Sequence, residues 1–404
     1  MLTICSCCKQ NKEELAVLPI WETILPTGTS QEFFYDGLCT LPSYKDWIIA
    51  HTTVADDGVF REDNRLCAVN AKTKKVDWYF PSDTKTKEYA HFDGKSYLHK
   101  NKLFFRYIKD YAETAESNRT TVCLNLDSQE VVWENTENRD LSQAGKSLGN
   151  GRDVIGLGSN CFFVQDEKEL YCFNLENNSY TRIFTYNSNE QFISSLILSG
   201  DNKYLILFCY DYQKKNNNDY SCKNSIHVLE VESFSEVFIK TVLPPTESYN
   251  NHLVATGYEK DGVLYVNIDT YLTAIELRGG TQLWAREDYW AHSLTDMFIY
   301  ENTLIKCGGN ATVGYNKDSG NIVYDYRNHG ALYATFDGPY TYMVTTAEKL
   351  EILETKTGRI LDTITCPYQD HEAGFIGSYP TLHGDKMYIM GGRNKLFCYP
   401  RYPW

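Results

Sequence analysis

The chain has 404 residues, 42% of them hydrophobic and 14% aromatic with 31 Tyr, and a formal net charge of −14. A surface this acidic, with no basic stripe, excludes nucleic acid as a partner and excludes docking onto anionic lipid by charge alone. No run approaches the roughly 20 apolar residues needed to span a bilayer, and the aromatic-rich composition suits β-structure with a large core.

The first segment, MLTICSCCKQNKEEL, is a short apolar stub, three cysteines and a polar stretch. Ile4-Cys5-Ser6-Cys7 puts a hydrophobic residue at −3 and Ser at −1 of Cys7, which resembles a bacterial lipobox. That predicts Cys7 as a lipidated residue, with 1–15 a leader and tether and 16–404 the folded domain. Cys5 is the poorer alternative, because Ile4 is bulky for −1. The competing reading is a cytoplasmic leader whose Cys5 and Cys8 form an accidental C-x-x-C. A charged n-region is lacking, and without a neighbouring His no zinc site is expected. Leu18 to Ile24 (LPIWETI) follows as a predicted strand carrying Trp21.

One unit then recurs seven times: a strand, an Asn or Glu, a turn, and a second strand with an aromatic residue or its stand-in. The copies are RLCAVNAKTKKVDW (65–78), TVCLNLDSQEVVW (121–133), LYCFNLENNSYTRIF (170–184), IHVLEVESFSEVF (226–238), LTAIELRGGTQLW (272–284), TVGYNKDSGNIVY (312–324) and LEILETKTGRILD (350–362). The turn openers are Asn70, Asn125, Asn174, Glu230, Glu276, Asn316 and Glu354. Eight positions later stand Trp78, Trp133, Phe238, Trp284, Tyr324 and Asp362, while the third copy slips by about two. Two more strand-like runs precede each hairpin, such as ALYATFDG and YTYMVTTAE before the seventh. Four strands per unit, repeating along the chain, predict a radial β-array. The last inner hairpin half, NKLFCYP (394–400), lacks an outer strand, and the Trp21 segment supplies one. The expectation is an all-β, eight-bladed propeller with four antiparallel strands per blade, closed by an N-terminal outer strand. A seven-bladed ring would leave Trp21 unexplained.

A small residue, a turn acid or amide, a Thr-Gly-like turn and a Trp resemble the tryptophan-docking repeat of the pyrroloquinoline-quinone-like (PQQ-like) propellers. Ala68, Ala274 and Gly314 fit the small position; Thr357–Gly358, Ser319–Gly320 and Gly279–Gly280 fit the turn. Cys123, Cys172, Val228 and Ile352 depart from it. The resemblance implies a fold, and for its dehydrogenase members a quinone on the axis under a vicinal disulfide with a bound calcium. Here the only vicinal cysteines, Cys7–Cys8, precede the first strand, and no carboxylate–amide cluster suggests calcium. Nine His lie singly along the chain, without H-E-x-x-H, G-x-S-x-G or a phosphate-cradling loop. The expectation is therefore no catalytic residue, no cofactor and no metal. The layout, with a lipidated Cys, a short tether and eight blades, resembles the outer-membrane assembly lipoproteins of this class. It implies a monomeric protein-binding scaffold of the bacterial cell envelope, facing the periplasm or cell surface and touching membrane only through its lipid. The alternatives are an immunity protein neutralising a secreted antibacterial toxin and a PQQ-dependent dehydrogenase-like enzyme.

Cys123, Cys172 and Cys398 sit at the small position of the repeat and are expected buried and unpaired. Cys209 and Cys222 flank a polar stretch and either clamp it as a disulfide or stay free. Surplus length falls at 55–64, 108–119 and 210–221, between second and third strands, and at 81–95 and 135–151 between blades. Both loop classes emerge on one rim. Phe60, Arg61, Tyr111, Tyr210, Tyr212 and Tyr220 on it are the candidate partner contacts; the alternative is that these are tolerated polar insertions.

Overall fold

The computed structural model describes residues 17–25, 40–55, 62–81, 91–109, 116–140, 154–165, 168–186, 191–214, 220–242, 256–268, 271–287, 296–308, 311–327, 330–345, 347–367, 375, 378–391 and 395–404. They form eight four-stranded antiparallel sheets arranged as the blades of a propeller. Blade 1 runs Ser43–Tyr44, Trp47–Ala55, Glu62–Asn70, Val76–Phe80, and blades 2 to 7 follow in chain order from His91–His99 to Ile360–Ile364. Blade 8 takes Thr381–His383, Lys386–Gly391 and Lys395–Pro400 from one end of the chain and Trp21–Ile24 from the other.

The seam is a register-true ladder. Trp21 pairs with Cys398, Glu22 with Phe397 and Ile24 with Lys395, and the Ile20 N–H donates to the Cys398 carbonyl at 2.7 Å. Trp21 is buried against Tyr388, ring centroids 5.9 Å apart. Closing the ring in this way covers the inner strands' edges, which would otherwise pair with another chain.

The repeated turn explains why Asn or Glu opens it. The side-chain oxygen of Asn70 accepts from the Lys72 and Thr73 N–H groups, Asn174 from Glu176 and Asn177, and Asn316 from Asp318 and Ser319. These are Asx turns. In the Glu copies, Ser233 and Thr357 hydroxyls donate to Glu230 and Glu354. Four residues after the opener, all seven copies place a left-handed residue: Lys74, Gln129, Asn178, Phe234, Gly280, Gly320 and Gly358. Only three are Gly, although an L-residue there costs about 1–2 kcal/mol.

At Gly320 and Gly358 the ring of the preceding blade presses on the turn. A Cβ on Gly320 would stand 2.7 Å from Trp284, and one on Gly358 2.5 Å from Tyr324. The same approach lets the Trp284 Nε1–H donate to the Lys317 carbonyl at 3.0 Å and the Tyr324 hydroxyl to the Thr355 carbonyl at 2.9 Å. Trp21 and Trp78 pack on the turns of blades 1 and 2, where Lys74 and Gln129 replace Gly. Among the described residues their buried Nε1 atoms find no partner. In blade 7 the aromatic is replaced by Asp362, which accepts from the Trp404 Nε1–H at 3.0 Å. The C-terminal tail thus reaches the place where an aromatic is missing.

The slipped third copy has a local cause. In the other six hairpins the β-bulge falls just after the small residue, so Ala68 faces Trp78 and Gly314 faces Tyr324. In blade 3 it moves to Leu170/Tyr171, and Cys172 faces Thr181 instead. With no large ring opposite, Cys172 is half-buried, whereas Cys123 and Cys398 are fully buried. All three lie in third strands and are free thiols.

Candidate functional site

The first strands of the eight blades surround an axial cavity of about 940 Å³. Its wall is apolar and aromatic on one side: Phe298 stacks on Phe336 with centroids 5.1 Å apart and planes 10° from parallel, and Tyr258 meets Phe298 edge-on at 5.8 Å. Elsewhere hydroxyls lock blade to blade rather than face the opening. The Tyr97 hydroxyl accepts from the Gly156 N–H, Thr40 and Ser96 hydroxyls meet at 2.6 Å, and Thr335 donates to the Pro380 carbonyl.

The charged groups on this wall are Glu259 and Asp296; no Lys or Arg lines it among the described residues. Glu259 is already used, because its two oxygens accept the N–H groups of Gly200 and Gly262. A quinone bearing several carboxylates calls for cationic donors, and the described wall offers acids, hydroxyls and rings but no cationic side chain. Among the described residues no three His, Cys, Asp or Glu side chains converge as metal ligands. Among the described residues the donor set does not fit such a quinone and its metal ion.

A second constellation lies between blades 3 and 4. His227 Nδ1 is 2.9 Å from Glu236 Oε2, and its Nε2 is 2.7 Å from the Tyr186 hydroxyl and 3.2 Å from Ser225 Oγ. The row Ser225–His227–Glu236 has the spacing of a nucleophile, base and orienting carboxylate. The ring, however, is buried edge-on to Phe184 and Tyr186, and the tyrosine hydroxyl is the nearer group on Nε2. The arrangement is a polar strut between blades. Burial pushes the Tyr186 phenol well above its usual range, with Cys209 adding to it. His227→Ala is expected to cost about 2–4 kcal/mol in urea unfolding, by removing the imidazole bonded to the Tyr186 hydroxyl and to Glu236 and opening a void. A change below 0.5 kcal/mol would rule out the strut.

Of the sequence-predicted contacts, Phe60, Arg61 and Tyr111 lie outside the described residues. Tyr210 and Tyr212 fall within the strand Tyr204–Lys214, and Tyr220 opens the strand Tyr220–Glu230. Tyr210 is buried and stacks on Phe192 at 5.1 Å, so it is a packed strand residue and not part of an exposed loop. The surplus sequence has instead lengthened the strand 2–3 ladders. In blade 4 pairing runs from Tyr204↔Glu230 out to Lys214↔Tyr220, and in blade 1 from Trp47↔Asn70 to Ala55↔Glu62. In blade 5 the same ladder stops at Ile268↔Tyr271. The strand 2–3 hairpins of blades 1, 2 and 4 are therefore the long ones on their rim.

The Cys209–Cys222 clamp is not formed. Cys209 is a free, buried thiol whose cross-strand partner is Ser225, while Cys222 pairs with Tyr212 three positions further out. Burial pushes the thiols of Cys67, Cys123 and Cys209 up to about 12 and those of Cys172 and Cys398 to about 11. A polar disulfide reagent at pH 7 is thus expected to spare Cys123 and Cys398 in the native protein and to modify Cys172 slowly. Mass spectrometry showing rapid labelling at Cys123 or Cys398 would contradict the core assignment.

No protein-family model matches this sequence, and no curated protein does. Solved structures do. BamB from Moraxella catarrhalis aligns with a TM-score of 0.56 at 10% identity, covering 95% of this chain and 99% of that one. A europium-containing methanol dehydrogenase gives 0.60 at 10% identity, over 93% of this chain and 85% of that one. Sqt1 from Chaetomium thermophilum, solved bound to the N-terminus of ribosomal protein L10, gives 0.58 at 10% identity, over 90% and 96%. All three share the eight-bladed propeller fold seen here. At this identity the likeness is one of fold, and the same fold carries both an enzyme and a peptide-bound protein, so it does not decide for or against catalysis.

Proposed function

We propose that this chain is a non-catalytic scaffold of the bacterial cell envelope, anchored through a lipid on Cys7, that binds one protein partner on the rim bearing its long hairpins. The observation that carries this reading is the asymmetry of the ring: the strand 2–3 ladders are extended in blades 1, 2 and 4 and short in blade 5. A ring needs no such extension to close. Raised hairpins add surface on one rim only, as a docking platform requires. The axial cavity, with no cationic side chain among its described lining residues to hold a carboxylated quinone, favours binding over dehydrogenation. Sqt1, bound to a ribosomal-protein N-terminus, illustrates peptide capture on a related fold. Free thiols are compatible with an oxidising envelope, because burial keeps them protonated and out of reach.

The test removes residues 215–219 and asks whether melting is unchanged while co-purification of a single stoichiometric partner from the native host is lost. An assembly component or a toxin among the captured proteins separates the two binding readings. Unchanged capture would refute the rim assignment. Saturable binding of the quinone with calcium, accompanied by alcohol-dependent dye reduction, would restore the enzyme reading.

A further inference from the structure

The outer wall of the seam carries the two most exposed large apolar side chains of the described residues, Leu18 and Ile24. Leu18, Ile24 and Ile20 are 70%, 65% and 51% exposed, and Trp404 is 45% exposed. They belong to one locality. Val17 and Tyr402 pack against the same core cluster between blades 7 and 8. Trp404 stacks edge-on against Tyr402 and is bonded to Asp362 of blade 7's outer strand, which also exposes Ile360. The charges nearby are matched: Glu22 lies 3.5 Å from Lys395, and Arg401 holds Asp337 through two guanidinium nitrogens. An apolar strip with its charges neutralised remains.

We infer that this strip rests on the lipid bilayer. What points to lipid over a protein is the route of the chain: the segment carrying Cys7 enters the ring at Val17, beside the strip. The 11 residues from Cys7 to Leu18 span at most roughly 40 Å when fully extended, so a lipid on Cys7 holds this wall of the propeller near the membrane. With a net charge of −14, attraction to anionic headgroups cannot supply the contact; Leu, Ile and Trp side chains can, Trp being at home at headgroup level. The ring would then stand with its seam to the bilayer and its rims turned aside, leaving the long hairpins clear for a partner. The inference rests on the lipid-anchored reading above, and the test separates the two.

The full chain with an N-terminal histidine tag is held on vesicles of phosphatidylethanolamine and phosphatidylglycerol containing a nickel-chelating lipid, so that tethering does not depend on Cys7. A photoreactive benzophenone amino acid replaces Leu18, Ile24 or Trp404 in turn, or Val237 or Leu283, which are apolar and exposed to 48% and 53% on the outer strands of blades 4 and 5. Phospholipid adducts at the first three positions, at least ten-fold above the last two, are expected by mass spectrometry. Equal labelling at all five, or none at the seam, overturns the inference. Separately, radiolabelled palmitate should enter the wild-type protein in the bacterial host and not Cys7→Ser. Failure there removes the anchor and leaves the vesicle result to judge the strip.

Discussion

A chain lacking residues 16–25 is expected to elute as aggregates far larger than the intact protein in size-exclusion chromatography with light scattering. The deletion strips the fourth strand from blade 8, exposing the edge of Lys395–Pro400, and removes Trp21 and Leu25 from the cluster that joins blade 8 to blade 1. An open edge on an apolar blade pairs with the next molecule. Trp21→Ala alone keeps the strand and empties the cluster, so it should cost about 3–5 kcal/mol while leaving the elution volume unchanged. A deletion variant that eluted like the intact protein with unaltered melting would mean that the ring does not depend on its N-terminal strand.

Gly358→Ala is expected to lose about 2–4 kcal/mol in urea unfolding. Two terms combine: a left-handed backbone at φ 73°, and a methyl group forced to within 2.5 Å of the Tyr324 ring. Gly262→Ala separates them. Its φ is 79°, but nothing stands within 4 Å of the added carbon, so only the backbone term of about 1–2 kcal/mol applies. Equal losses at the two sites would show that the ring does not press on the turn of the next blade.

Much of this architecture is legible in the sequence because the repeat encodes a physical requirement at each position. Asn70, Asn174 and Asn316 announce Asx turns, and the small residue facing Trp78, Trp284 or Tyr324 leaves room for the ring. Trp21 was readable as the missing outer strand because the last hairpin lacked one. Other features were hidden for physical reasons. The left-handed position shows as Gly in only three turns; Lys74, Gln129, Asn178 and Phe234 fill it elsewhere without a sequence signal. The polar run at 210–221 read as a loop, although Tyr210 to Lys214 and Tyr220 onward continue a ladder. Trp404 carried no repeat signature, since it meets Asp362 from outside the hairpin. Similarly, the strut of Tyr186, His227 and Glu236 joins residues from two blades, and a lone His gives no hint of it.

The proposal that one rim receives a protein partner is tested most directly by photo-cross-linking in the native host. A photoreactive residue is placed in the raised hairpin of blade 4, at Tyr212, or on the opposite rim, at the turn residues Lys72 and Asp127. A single discrete protein adduct from Tyr212, absent from both turn positions, is the predicted result. An adduct from the turn rim, or none from the hairpin, would contradict it.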